Sequence, residues 1–92
     1  MEKSKSIITV VGKDQVGIIA RVTTYLYDCN VNIEDISQSI VGGYFNMMMI
    51  VDTSDSSKEF LTLSQELEDL GKRIGVIIKL QREDIFKSMQ RI

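Results

Sequence analysis

Two short segments of this chain carry residues that could bind a small charged molecule. The first is the loop formed by Asp14, Gln15, Val16 and Gly17, together with Ile18, where a helical pattern begins. The first turn of a helix leaves unpaired backbone N–H groups and the positive end of the helix dipole pointing outward, which suits a carboxylate. Gly17 has no side chain, so a ligand can approach the backbone there. We therefore predict that this loop holds the carboxylate of a small amino acid.

The second segment is Asn30, Val31 and Asn32, at the start of a predicted second strand. The ammonium group of an amino acid needs oxygen acceptors, and Asp14, Asn30 or Asn32 could supply them. The asparagines could belong to the same chain or to a second copy of it. The predicted ligand site therefore comprises residues 14–18 and 30–32.

Each of these residues also has a purely structural explanation, which the sequence leaves open. Asp14 could cap the first helix, because aspartate is a favoured N-cap residue. Gly17 could be required by close packing of the helix on the sheet. Asn30 could simply end the helix, and Asn32 could be an outward-facing polar residue on a strand.

The residue types of the chain argue against catalysis. There is no histidine, which removes the commonest general base, the usual zinc ligand and any Ser–His or Cys–His pair. The single cysteine, Cys29, is expected to be an inert buried thiol. Residues 47–49 are all methionine, but adjacent strand residues face opposite ways and no histidine or cysteine assists, so we expect core or interface packing. We predict a protein that is not an enzyme and needs no metal or cofactor.

The first half of the chain predicts a strand, a helix and a hairpin. Residues 6–12 are rich in β-branched residues, and a helical stripe then runs from Ile18 to a helix end near Cys29 and Asn30. Residues 31–41 alternate, with a change of phase at Asp35–Ile36 that indicates a β-bulge or a bend. The pair at positions 42 and 43, both glycine, predicts a turn into a strand over residues 44–52, which is apolar on both faces.

The second half predicts one helix, one strand and a tail. Ser56 and Glu59 fit a capping box for a helix whose apolar stripe runs from Phe60 to Ile74. Gly75 is a plausible end for that helix, and residues 76–81 make a fourth strand. The tail, residues 83–92, places Ile85, Met89 and Ile92 on one side of a short helix. The order βαββαβ predicts an α+β, ferredoxin-like fold: a four-stranded antiparallel sheet with two helices on one face.

Composition limits the partners. The chain has 92 residues, a hydrophobic fraction of 43% and a net charge of −2, with a pI near 5.0. The acidic balance, and the absence of aromatic residues from the first strand, argue against direct binding of nucleic acid. No apolar run approaches the about 20 residues that cross a bilayer, and no secretory pattern follows Met1. We expect no membrane partner and a cytoplasmic location.

Two motifs resemble those of a known family. Residues 9–22 (TVVGKDQVGIIARV) resemble the opening of ACT domains, in which a strand leads through D-x-x-G into a helix. Residues 30–38 (NVNIEDISQ) resemble the second strand of that family, with its N-(I/V)-x-D-I-S pattern. The likeness covers residues 7 to about 81, and the subgroup it resembles is the small stand-alone bacterial ACT proteins related to the repressor of the glycine cleavage system. The prediction is one ACT domain over residues 1–92, with a core at about 6–81 and a helical tail at about 83–92.

The resemblance implies a regulatory role. ACT domains pair through the sheets or helices of two copies and often bind an amino-acid effector at the junction. We therefore expect a homodimer with the site of residues 14–18 and 30–32 at its junction. The alternative is a protein-interaction module without a small ligand, acting on a metabolic or transcriptional partner through the third strand and the tail.

Overall fold

The structure is a computed structural model that describes residues 5–85. The elements are β1 (Lys5–Lys13), α1 (Ile18–Asp28), β2 (Asn32–Val41), β3 (Tyr44–Asp52), α2 (Phe60–Ile74) and β4 (Val76–Arg82). The strands form one antiparallel sheet in the order β2-β3-β1-β4, so β1 and β3 are central and β2 and β4 are the edges. The predicted βαββαβ fold is confirmed.

One face of the sheet is covered by the two helices and holds the core. Alternate residues of the central strands, such as Ile8, Val10 and Met49, are completely buried there. The helices contribute stripes at helical spacing, including Val22 on α1 and Leu67 on α2. Side chains alternate between the two faces of a strand and return to the same face of a helix about every 3.6 residues. The apolar residues that the sequence pattern predicts to face inward therefore do so. Cys29 and Met47 also belong to this core, as expected.

The other face of the sheet is open. The helix-facing residues of β3 are buried, whereas Tyr44 and Met48 on the opposite face are 60% and 41% exposed. Val11 of β1 and Ile77 of β4 lie on the same open face, because they pair with each other in register. The predicted strand with two apolar faces is thus covered by helices on one side only.

Local turns and helix ends follow the sequence closely. Gly42 and Gly43 have positive φ angles of 59° and 84°, as a tight hairpin turn between β2 and β3 requires. Asn30 and Gly75 end the two helices in the left-handed conformation, with φ angles of 60° and 81°.

The predicted irregularity in β2 is confirmed, but it lies slightly earlier. The register with β3 shifts between Ile33 and Asp35, so Glu34 is the extra residue. Its carboxylate forms an ion pair with the Lys5 ammonium at 3.2 Å. The apolar pattern changes phase only when the next isoleucine, Ile36, is reached, which is why the sequence places the bulge later.

The predicted capping box of α2 is wrong. The helix begins at Phe60, with Glu59 as its N-cap residue and no side-chain capping hydrogen bond. The Ser56 hydroxyl instead accepts from the backbone N–H of Lys58 at 3.0 Å and donates to the backbone oxygen of the same residue at 2.8 Å. The serine therefore closes a local turn, a conformation that competes with helix initiation.

The C-terminal segment is described only in part. Residues 83–85 are helical and Ile85 is about half exposed, whereas Met89 and Ile92, the other apolar residues of the predicted tail, lie outside the described residues. Over residues 5–85, neither α1 nor α2 is long and apolar enough to cross a membrane.

Candidate functional site

The loop between β1 and α1 is anchored to the β2–β3 hairpin. The backbone N–H of Asp14 donates to the carbonyl oxygen of Gly43 at 2.9 Å. Helix α1 begins four residues later, at Ile18, with Gly17 as its N-cap residue and no side-chain capping bond. The explanation of Asp14 as a helix cap is therefore wrong, and its exposed carboxylate is not used to satisfy the helix.

The conformation of Gly17, not its packing, accounts for glycine at this position. Its φ angle is 91°, a region that residues with a side chain rarely adopt. A Cβ atom added there would meet nothing within 4 Å, so the explanation from close helix–sheet packing is also wrong. Open space therefore lies in front of the backbone at the start of α1.

The remaining residues of the loop have different surroundings. The Gln15 side-chain amide donates to the carbonyl oxygen of Ile74, the last residue of α2, and ties the loop to that helix. Val16 is fully exposed. The side chain of Ile18 is 2% exposed and belongs to the core, so this residue offers a ligand mainly its backbone.

A cavity of about 230 Å³ lies between the start of α1 and the end of α2. Its lining comprises Gln15, Val16, Gly17, Ile18, Arg21, Arg73 and Ile74. Four of these residues belong to the site predicted from sequence. The two arginines were missed, although Arg21 lies one helical turn after Ile18 and could have been found from that spacing. Arg73 lies far along the chain, on an exposed position of α2, so no local spacing connects it with the loop.

The second predicted segment lies at the far end of α1. Helix α1 has 11 residues and is therefore about 16 Å long at about 1.5 Å per residue. Asn32 lies opposite Asp52, which also pairs with Lys5 at the start of β1, whereas the loop follows the end of β1. Residues 14–18 and 30–32 of one chain are thus too far apart to hold one small molecule together.

The residues of this second segment fit their structural explanations. Asn30 has the left-handed conformation of a helix end, and its side-chain amide donates to the backbone oxygen of Asp55 at 2.9 Å. Val31 is buried, with 7% exposure, and Asn32 is an exposed strand residue.

A polar cluster joins the two helices beside the cavity. The Tyr25 hydroxyl donates to Glu66 Oε1 at 2.7 Å, and Lys58 Nζ lies 2.6 Å from the same oxygen. The hydrogen bond from Lys58, and then that from Tyr25, lower the pKa of the Glu66 carboxyl. Burial, followed by the hydrogen bond to Glu66, raises the pKa of Tyr25. The Tyr25–Glu66 hydrogen bond thus joins α1 to the middle of α2.

Comparison with known proteins identifies the family. A family model described as an ACT domain matches residues 5–81. A UPF0237 protein from Bifidobacterium longum is 62% identical over 89 residues, which cover 97% of this chain and 99% of that protein. A UPF0237 protein from Clostridium acetobutylicum is 51% identical over 88 residues, or 96% and 99% of the two chains.

Solved structures give the same result. An ACT domain protein from Streptococcus pneumoniae superimposes with a TM-score of 0.80 and 40% identity over 99% of both chains. A protein proposed to be a glycine cleavage system transcriptional repressor has a TM-score of 0.77 and 26% identity, covering 89% of this chain and 47% of that one. With a fold, a family model and close relatives in agreement along almost its whole length, the chain belongs to the ACT domain family.

Proposed function

We propose that this chain is a non-enzymatic regulatory module that binds a small amino acid at a junction between two copies of itself. The observation that carries the proposal is the cavity at the start of α1, where backbone donors, open space and two guanidinium groups meet. Membership of the ACT family is consistent with such a role.

The carboxylate of the ligand would bind at the first turn of α1. The earliest backbone bond of the helix is from the N–H of Arg21 to the oxygen of Gly17, so the N–H groups of residues 18–20 have no partner within the helix. Their common direction and the helix dipole favour an anion at this point. The exposed carboxylate of Asp14 lies in the same loop and is available to an ammonium group.

Pairing of two copies through β2 would join the two halves of the predicted site. This edge strand presents ten residues, and Ile40 and Val41 on it are 59% and 65% exposed. In a two-fold antiparallel arrangement whose axis passes through the middle of β2, Asn32 of one copy would lie opposite Val41 of the second. Val41 adjoins the hairpin that accepts the hydrogen bond from Asp14, so the asparagines of one copy would approach the loop of the other.

Such an arrangement would make binding regulatory. A ligand held by groups from both copies binds the dimer more tightly than the separate chains. It would therefore raise the population of the dimer, or of one dimer geometry, and a partner that recognises that state would respond to the amino acid.

A thermal-shift screen against the twenty amino acids, with the mass measured by light scattering, tests the proposal. We expect one or a few related amino acids to raise the melting temperature of a dimer. Asp14→Ala should abolish that rise while the protein stays folded, whereas Glu68→Ala, which removes an exposed carboxylate from α2, should leave it unchanged. A flat response from a well-folded protein would refute amino-acid binding, and a monomer at all concentrations would refute the junction.

The second candidate function is a protein-interaction module without a small ligand. The open face of the sheet favours it, because Val11, Met48 and Ile77 form an exposed apolar surface there. Its partner would be a metabolic or transcriptional protein with a complementary apolar surface. Affinity capture with the wild-type chain and with Met48→Lys as bait tests this function: a protein retained by the first and lost by the second supports it, and identical captures refute it.

A further inference from the structure

We infer that the ligand of this cavity is an amino acid with a second, compact acidic group, and that Arg21 and Arg73 bind that group. The inference rests on the proposed function and deepens it by naming the ligand class. The ligand would place its α-carboxylate on the backbone N–H groups of α1 and its side-chain anion between the two guanidinium groups.

The first observation is the charge of the cavity. Two arginines line it, and none of the seven lining residues is acidic. Within residues 5–85, neither arginine side chain forms an ion pair or a hydrogen bond. Arg73 also borders a neighbouring depression lined by Glu66 and Asp69, yet it pairs with neither of them. The cavity therefore concentrates two positive charges that the described part of the chain does not neutralise.

The second observation is the position of Arg21 on its helix. It is the fourth residue of α1, so its charge lies near the positive end of the helix dipole, where a cation is unfavourable. Arg73 lies in the last turn of α2, where a cation is favourable without any ligand. A favourable interaction with the helix dipole thus explains the position of Arg73 but not that of Arg21, whereas an anion bound in the cavity explains both positions.

The third observation is size. The volume of about 230 Å³ lies below the roughly 300–1,000 Å³ of pockets that hold drug-sized ligands. Any ligand of this cavity would therefore be a small molecule. Guanidinium groups bind carboxylate and phosphate through paired N–H donors, so the second group would be a carboxylate or a phosphate ester.

Calorimetric titration with matched ligand pairs tests the inference. Aspartate is compared with asparagine, glutamate with glutamine, and phosphoserine with serine, on the full chain at low ionic strength. In at least one pair we expect the acidic member to bind at least about tenfold more tightly, as the loss of a charged hydrogen bond implies. The pair that shows the preference distinguishes carboxylate from phosphate.

Variants locate the preference. Arg21→Ala and Arg73→Ala should each weaken binding of the acidic ligand by about tenfold or more and leave its neutral counterpart nearly unaffected. Arg73→Lys keeps the positive charge but lacks the paired N–H donors of the guanidinium group, and should give an intermediate loss of affinity. Lys72→Ala is the matched control, since it removes a neighbouring charge of α2 that does not line the cavity.

The outcomes separate this inference from the proposed function. If a neutral amino acid binds as tightly as every acidic one and the binding depends on Asp14, the inference fails and the proposed function stands. If no amino acid binds, both fail. If acidic ligands bind but the two arginine variants bind them as the wild type does, the assignment of Arg21 and Arg73 is wrong.

Discussion

Replacing Gly71 by alanine tests how closely α2 packs on β4. The sequence alone suggests that this change stabilises the protein, because glycine inside a helix costs about 0.5–1 kcal/mol relative to alanine. The structure predicts the opposite sign. A Cβ atom at Gly71 would lie 2.6 Å from the backbone oxygen of Val76, and 3.1 Å and 3.2 Å from the Cγ1 atom and the backbone nitrogen of Ile78.

The magnitude follows from which atoms must move. Two of the three contacts are with the backbone of β4, which pairs with β1 in the sheet and cannot move without disturbing its hydrogen bonds. Overpacking of this kind costs about 1–3 kcal/mol, and rigid backbone neighbours place it near the upper end. Alanine has a higher helix propensity than glycine, which offsets part of this cost. We therefore expect the free energy of unfolding to fall by about 2 kcal/mol. That loss corresponds to a fall in melting temperature of about 8–16 °C for a domain of this size.

The assay is chemical and thermal unfolding followed by circular dichroism at several protein concentrations, because self-association would add to the apparent stability. Thr62→Ala is the matched control, since this residue is exposed on the same helix and should gain a few tenths of a kcal/mol. A Gly71→Ala protein as stable as the wild type would show that α2 does not approach β4 this closely.

Three further predictions test the site and its support. Gly17→Ala should lower the free energy of unfolding by about 1–2 kcal/mol through backbone strain alone, since open space surrounds the position; equal stability in denaturant titration would contradict the φ angle. Leu67→Ala should cost about 2–5 kcal/mol, because the side chain is completely buried, and a smaller loss in the same titration would contradict that burial. Because its folded pKa is lowered, Glu66 should contribute stability above the ordinary glutamate pKa of 4.5 that is lost as the pH falls through the folded value. The Glu66→Gln protein should therefore lack this acid-dependent loss of stability. Identical acid unfolding curves for the variant and the wild type would show that the contact with Lys58 does not persist in solution.

Local sequence patterns determined most of the fold. The alternation in β1 and β3 and the stripes of α1 and α2 each require only neighbouring residues, and they specify both the element and its buried face. Asn30 and Gly75 ended their helices as predicted, because the left-handed conformation is a property of the residue itself. Local patterns misled where two local structures competed, as at Ser56, whose hydroxyl closed a turn instead of capping α2.

The tertiary structure alone decided how the candidate site is assembled. Residues 14–18 and 30–32 are close in sequence, yet they lie at opposite ends of α1, because the helix carries the chain back along the length of the strands, from the end of β1 to the start of β2. Arg73 is distant in sequence, yet α2 ends beside the loop and brings it into the cavity. Local preference determines which element a segment forms and which side faces inward. The order of the strands and the packing of the helices determine which residues meet, and no local pattern contains that information.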